Sequence, residues 1–241
     1  MPRDLGEQLA RLTTDRLDRA ARSRALLAVT RSLAASARAA GAAAVVGGRW
    51  LTDLAVDVAP RIPVRDLATL REHHGGLDGA DLADALVRSA SRVTAAVGGA
   101  GGALAAIEWE APPALLGVPV QLAAETLAVV AVEVKLVAEL HEVYGVPVAG
   151  TGTERARAYL IAWARQRAAD PASPSGGLAG ALSGAARREL RQRIMRRAGR
   201  NVTTLAPFFA GAVAGAELNR RATVNLGNTV LRDLRRRTKR P

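Results

Sequence analysis

Apolar residues recur at intervals of three and four along most of this chain, in segments that end at clusters of glycine and proline. One such segment carries Leu82, Leu86, Ala90, Val93 and Val97. This spacing places the apolar side chains on one face of a helix. Because aromatic residues make up only 3% of a chain that is 49% hydrophobic, the core must consist mainly of alanine, leucine and valine. The pattern predicts an all-α fold.

Two long Ala/Gly-rich helices occupy the middle of the sequence. The first begins near residue 80 and leads into the glycine run at 98–102, and the second covers about 120–144 and stops at Gly145 and Pro147. Pro112 and Pro113 separate them, as expected for a turn. The fold class predicted is therefore a multi-helix bundle with a central Ala/Gly-rich helical hairpin at 80–144.

Shorter helical segments flank this hairpin. Pro63 is expected to begin a short helix, and Thr151, three residues before Glu154, has the spacing of a capping box for a helix that ends near 169. The last part of the chain is predicted as a basic stretch at 178–199, an apolar stretch at 205–216 and a final basic helix at 219–237. The arginine-rich residues 1–49 form a separate helical segment, so we divide the chain at 49/50.

Charge is distributed unevenly along the chain. The formal charge is +5 over residues 1–49, −5 over residues 50–186 and +12 over residues 187–241, so the last segment alone equals the net charge of the whole chain. Such an asymmetry favours an anionic partner or an internal pairing between zones.

Neither disulfides nor a conventional membrane span are expected. Cysteine is absent, and the first twenty residues lack the apolar core of a secretory signal, which together favour the cytoplasm. The uncharged apolar runs at 93–107, 111–124 and 205–216 are shorter than the ~20 residues of a spanning helix. Two GxxxG pairs, Gly98 with Gly102 and Gly211 with Gly215, favour close helix packing in lipid or inside a bundle.

The polar residues of the helix at 120–144 are of special interest. Most of them lie within a third of its circumference, but Glu133 lies outside that stripe among apolar neighbours. A buried carboxylate must be protonated or paired, so Glu133 is either functional or satisfied by a residue from another segment. Together with Glu139 and His141 it forms the one weak candidate for a polar site.

No catalytic motif is present. The segment from Glu139 to Gly145 resembles part of a zinc-protease helix, but the position of the second histidine is Gly145. The chain also lacks a phosphate-binding loop and a nucleophile elbow. We therefore predict no catalytic residues, no metal site and no cofactor.

The basic stretch near the C-terminus is the main candidate binding element. Its arginines can rest on anionic lipid headgroups, contact nucleic acid phosphates, or pair with the acidic middle of the chain. The candidate lipid- or anion-binding residues are Arg188, Arg191, Arg196, Arg197 and Arg200.

Two spaced motifs resemble the EcsC family of bacterial proteins. They are the Tyr144-Gly145 pair at the end of the apolar helix, and the Pro207, Gly211, Gly215, Asn219 series. The resemblance covers about 53–234, identifies 50–241 as an EcsC-like helical domain, and implies a membrane-associated helical protein without established catalytic residues.

These observations predict a non-enzymatic protein held peripherally or re-entrantly at the cytoplasmic face of the membrane, in a scaffolding or accessory role. The expected partner is an anionic membrane surface or a membrane protein. The alternative is a soluble interaction or nucleic-acid-binding module that uses the basic C-terminal third. Helix packing is assigned to Gly98, Gly102, Gly211, Gly215 and Asn219, the last three facing the helix at 120–144.

Overall fold

The computed structural model describes residues 2–14, 17–40, 49–108, 117–146, 148, 150, 152–168 and 209–238. Within these ranges the chain forms eight α-helices and one 3₁₀ turn at Ala59–Arg61, and no strand. The predicted all-α class is confirmed. The helices are α1 (Pro2–Leu12), α2 (Arg19–Ala40), α3 (Arg49–Val58), α4 (Leu67–His73), α5 (Gly79–Glu108), α6 (Gly117–Val143), α7 (Gly152–Ala168) and α8 (Phe209–Thr238).

Helix α6 is the centre of the bundle. Every residue from 120 to 141 is buried, and each of the other seven described helices contacts α6. A helix that is apolar on most of its circumference can be covered only by neighbours on all sides. The polar residues of α6 are therefore enclosed together with its leucines and valines.

Helix α5 runs antiparallel to both α6 and α8. Along α5 and α8, Gly98 lies against Gly215 and Val87 against Gly227, so the two chains run in opposite directions. Glu133 of α6 bonds to a threonine of α8, and Tyr144 at the end of α6 bonds to Arg235, so these two helices are parallel. Helices α5 and α6 accordingly have the orientation expected of a hairpin.

The predicted partner of the glycine face on α8 was wrong. Gly215 and Asn219 pack against α5, not against the helix at 120–144. The reason is that α5 presents a second glycine, Gly98, at the same level, so the two backbones approach closely there. A methyl group added to Gly98 would lie 2.6 Å from the Gly215 carbonyl oxygen and 2.7 Å from Asn219 Nδ2.

The arginine-rich N-terminal segment contributes to the same core as the rest of the chain. Leu5, Leu9 and Leu12 of α1 are buried in one hydrophobic cluster with residues of every other described helix. Arg22 of α2 is also buried, and its guanidinium donates to the carbonyl oxygens of Leu12, Thr14 and Leu17. This arginine satisfies backbone acceptors at the connection between α1 and α2. The boundary at 49/50 stays a prediction.

Several helix ends differ from the sequence prediction. The short helix begins at Leu67 and not at Pro63, because the Asp66 side chain accepts the Thr69 N–H at 2.8 Å and caps it. The apolar stretch from residue 209 and the final basic segment form one continuous helix, α8. Thr151 of the predicted capping box lies outside the described residues.

Gly145 ends the central helix. Its φ is +61°, a left-handed conformation that suits glycine, and the Val146 N–H bonds to the His141 carbonyl oxygen at 3.0 Å. This Schellman turn leaves Tyr144 beside the end of α8.

None of the helices in the described ranges combines the length and hydropathy required to cross a bilayer.

The contact between Gly98 and Gly215 gives a direct test of the packing. Gly98→Ala should lower the free energy of unfolding by about 1–3 kcal/mol, because its new methyl group meets backbone atoms that cannot move aside locally. The neighbouring change Gly99→Ala is the matched control, since its methyl group would lie 3.9 Å from Ala216 Cβ. It should stabilise the helix by about 0.5–1 kcal/mol. Urea unfolding followed by circular dichroism measures both, and equal effects would contradict the packing.

Candidate functional site: a buried polar network beneath a basic helix

The inner face of α8 carries polar side chains that bond to α5. Asn219 Nδ2 donates to the Thr94 carbonyl oxygen at 3.1 Å, and the hydroxyls of Thr94 and Thr223 are 2.9 Å apart. Asn219, Thr94 and Thr223 are all buried. The glycine contact one turn away brings the helices close enough for these short side chains to reach across.

Glu133 is the acceptor at the centre of this network. Its side chain is fully enclosed, with an exposed fraction of 0%, and it accepts hydrogen bonds from Trp163 Nε1 at 2.8 Å and from Thr223 Oγ1 at 2.9 Å. The Thr94 hydroxyl lies 2.9 Å from Thr223 Oγ1 and 3.1 Å from the Ser91 carbonyl oxygen, so its one proton has two acceptors within reach. The resulting chain of polar groups runs from Thr94 through Thr223 to Glu133 and crosses three helices.

A buried carboxylate is stable only where such donors replace water. Of the two interpretations of Glu133, the structure therefore supports the one in which other segments satisfy its carboxylate. The partners are Trp163 of α7 and Thr223 of α8. Glu133 is sealed from solvent, so a substrate has no route to it in this conformation.

Glu139 forms a separate ion cluster on another side of α6. Arg65 binds its carboxylate with two nitrogens, at 2.8 Å to Oε1 and 3.0 Å to Oε2, and Lys135 Nζ lies 2.8 Å from Oε1. Lys135 also donates to the Pro63 carbonyl oxygen at 2.7 Å. This cluster holds the segment between the 3₁₀ turn and α4 against the central helix.

His141 lies in a third environment. Its Nδ1 is 2.7 Å from the Val137 carbonyl oxygen, which makes Nδ1 the protonated nitrogen of the neutral ring. The ring meets Tyr159 edge-on with centroids 5.5 Å apart. Burial lowers the pKa of His141, and the nearby Arg237 charge lowers it further, against the opposing effects of the Val137 hydrogen bond, Asp233 and Glu142.

The three residues of the predicted polar site are therefore not brought together. Glu133 faces α7 and α8, Glu139 faces the segment before α4, and His141 faces Tyr159. At 100° per residue, Glu139 is rotated about 240° from Glu133, and His141 lies about 12 Å further along the helix axis than Glu133. Within the described ranges, no three histidine, aspartate or glutamate side chains converge as metal ligands.

The outer face of α8 is exposed and basic toward its C-terminal end. The exposed arginines there include Arg232 and Arg236, while Arg237 pairs with Asp233 at 2.9 Å. Arg235 donates to the Tyr144 hydroxyl at 3.1 Å, a hydrogen bond that raises the pKa of Arg235. Nearer the start of the helix, Val213 and Leu218 are 69% and 43% exposed.

A triad of charges interrupts the basic face. Glu217 accepts from Arg220 at 2.7 Å and from Arg221 at 2.6 Å. These two hydrogen bonds, that of Arg220 first, lower the pKa of Glu217 to about 2. The triad keeps a net positive charge at neutral pH.

The predicted anion-binding arginines at 188–200 all lie outside the described residues. Gly102 and Gly211 belong to α5 and α8, and Gly98, Gly215 and Asn219 form one of the close contacts between these helices. The sequence interpretation missed Arg65, Trp163 and Thr223. The sequence held a signal for only one of them, Trp163. A buried Glu133 requires hydrogen-bond donors, and the chain has only three tryptophans that could supply an indole N–H.

No protein-family model matches the chain, and neither curated proteins nor solved structures include one with significant similarity. The resemblance to the EcsC family therefore stays a prediction.

The hydrogen bond from Thr223 to Glu133 can be tested with a substitution of nearly equal shape. Thr223→Val removes the hydroxyl but keeps the volume, so it should lower the free energy of unfolding by about 1–3 kcal/mol because an enclosed carboxylate loses a donor. Thr229→Val is the matched control on the same helix, since the Thr229 hydroxyl bonds locally to the Asn225 carbonyl oxygen. That change should stay within about 0.5 kcal/mol. Equal effects in chemical denaturation would refute the role of Thr223.

The lowered pKa of His141 predicts that the stability of the protein depends on pH. Because its pKa is lower in the folded protein than the value of 6.5 for a free histidine, the unfolded chain binds more protons below that pH. The contribution of the neutral His141 ring to the free energy of unfolding is fully present above pH 6.5. It is lost as the pH falls from there toward the pKa of His141 in the folded protein. Unfolding free energies of the parent and of His141→Gln, measured across this window, should converge on acidification. Parallel curves would contradict the assignment.

Proposed function

We propose that this chain is a non-enzymatic helical protein that binds the anionic surface of the membrane from its cytoplasmic side, in a scaffolding or accessory role. The outer face of α8 and the basic residues before it would form the contact. The observation that carries the proposal is the exposed stripe on α8, whose arginines face away from the bundle while its inner face is fixed to α5 and α6.

The stripe has the composition of a surface that rests on lipid. Ala214, Leu218, Arg221, Arg232 and Arg236 are exposed and fall on one side of the helix at 100° per residue. Ala214 and Leu218 lie nearest its start, Arg221 follows, and Arg232 and Arg236 lie toward its C-terminal end. An arginine close to an anionic bilayer gains ~1 kcal/mol of attraction, so a few of them suffice for reversible binding.

The bundle holds α8 in a defined orientation. Thr223 and Asn219 bond to α6 and α5, and Arg235 bonds to Tyr144 at the end of α6. A basic helix fixed at several points along its length presents its charges without the entropy loss of ordering a free segment.

We further propose that the chain is related to the EcsC family. In support, the residues on which the resemblance rests have definite roles in the bundle. Gly145 ends α6 in a left-handed conformation, Tyr144 bonds to α8, and Gly215 and Asn219 form the contact with α5.

Vesicle co-sedimentation tests the proposal. The protein should bind vesicles that contain phosphatidylglycerol and not vesicles of phosphatidylcholine alone, with weaker binding as salt screens the charges over ~10 Å at 0.1 M. Arg232→Gln with Arg236→Gln should weaken binding about thirtyfold, since two arginines contribute ~2 kcal/mol. The matched control is Arg24→Gln with Arg31→Gln, which removes the same charge from exposed positions of α2 and should change binding little.

A second variant extends the test to the predicted basic stretch. Replacing Arg188, Arg191, Arg196 and Arg197 by glutamine should weaken vesicle binding if that stretch also contacts lipid. Duplex DNA is titrated in parallel, because binding to nucleic acid would lose affinity linearly in log salt with a slope of about 0.9 per neutralised phosphate. DNA binding without vesicle binding by the parent protein would overturn the membrane proposal in favour of a nucleic-acid-binding module.

A further inference from the structure

Two large apolar side chains near the start of α8 face outward. Val213 is 69% exposed and Leu218 is 43% exposed, and we refer to these two residues as the apolar pair. In the described ranges the other large apolar side chains left exposed are Val64 and Leu77, which lie in the segments on either side of α4. Two such side chains within five residues of one helix favour contact with a partner.

The inner side of the same turns is already packed against α5. Gly215 lies against Gly98, and Asn219 Nδ2 donates to the Thr94 carbonyl oxygen at 3.1 Å. The helix cannot turn about its axis to bury the apolar pair without breaking these contacts. The outward direction of the pair is therefore fixed by the packing of the bundle.

The charges around the apolar pair suit an anionic lipid surface. Residues 209–216 carry no charge, and Glu217 is the only acidic residue between positions 209 and 232. Glu217 is bound by Arg220 at 2.7 Å and by Arg221 at 2.6 Å, so this part of the helix keeps a net positive charge. Exposed apolar side chains bordered by arginines are typical of helices that lie in the interface of an anionic bilayer.

The apolar pair also continues the stripe of the proposed membrane contact. At 100° per residue, Val213 and Leu218 are about 140° apart around the helix, and the arc between them contains Ala214, Arg221 and Arg232. All five residues are exposed. A lipid surface that the arginines approach is therefore approached by the apolar pair as well.

The end of α5 limits how the helix can enter a bilayer. Gly98 lies against Gly215 and the two helices run antiparallel. In this register Glu108, the last residue of α5, lies about 12 Å beyond the level of Val213 along the helix axis. An end-on entry would carry this glutamate into the hydrocarbon, which is costly. The helix must therefore lie along the surface, and only a shallow entry remains.

We propose that Val213 and Leu218 enter the bilayer by about 5–10 Å, into the boundary between headgroups and acyl chains, while the arginines of α8 stay at the headgroups. This inference rests on the proposed membrane contact and deepens it, because it adds a hydrophobic component to the binding. Salt screens the attraction between charges but leaves the burial of apolar surface in place.

Vesicle co-sedimentation at low and high salt separates the two components. At about 1 M NaCl charges are screened over ~3 Å, and the parent should keep part of its binding to phosphatidylglycerol vesicles. Val213→Ser with Leu218→Ser should weaken this remaining binding about tenfold, because less apolar surface leaves water. The matched control, Val64→Ser with Leu77→Ser, removes the same residue types from exposed positions outside α8 and should change binding little.

A spin label measures the depth of entry. The chain has no cysteine, so Val213→Cys and Ala35→Cys each create a single labelling site, the second at an exposed position of α2. On vesicle binding, a nitroxide at position 213 should gain collisions with oxygen, which concentrates in hydrocarbon, and lose collisions with a water-soluble nickel chelate. A nitroxide at position 35 should show neither change.

The outcomes distinguish insertion from surface binding. If the parent binds vesicles but the label at position 213 behaves like the label at position 35, or if the two serine pairs have equal effects, insertion is overturned and surface binding stands. If the parent does not bind vesicles, both are overturned. If sedimentation equilibrium without lipid shows a dimer that Val213→Ser with Leu218→Ser dissociates, the apolar pair contacts a second copy of the chain, and insertion is overturned.

Discussion

The complete burial of α6 is the constraint on which the rest of the structure depends. Every residue from 120 to 141 is enclosed, and each of the other described helices contacts this one. A helix with so many small and β-branched apolar residues gains by being covered on all sides. The polar residues that it carries must then find partners inside the protein, and those partners determine where several neighbouring segments lie.

Three buried polar residues of α6, Glu133, Lys135 and Glu139, secure neighbouring segments. Glu133 accepts from Trp163 of α7 and Thr223 of α8. Lys135 and Glu139 hold the segment before α4 through Pro63 and Arg65. Loss of one partner would leave a charged or polar group buried and unsatisfied, which costs more than the hydrogen bond itself contributes. These polar contacts therefore specify the arrangement of helices that apolar packing alone would leave less defined.

The two faces of α8 have different roles in this arrangement. Its inner face approaches α5 closely through Gly98 and Gly215, and that approach lets Asn219 and Thr223 make their hydrogen bonds. Its outer face remains free to carry exposed arginines. The membrane proposal depends on this outer face, and the packing of the bundle depends on the inner one.

The sequence by itself determined the helical class, the central hairpin and the presence of a carboxylate that needed partners. These follow from local spacing: apolar residues three and four apart, and Glu133 among apolar neighbours, are visible along the chain. Only the tertiary structure decided that Gly215 and Asn219 meet α5, that Glu133, Glu139 and His141 point to three different neighbours, and that Arg65 reaches Glu139. Those pairings join residues far apart in the chain. They depend on which helices pack side by side, and periodicity along one segment carries no information about the segment that will cover it.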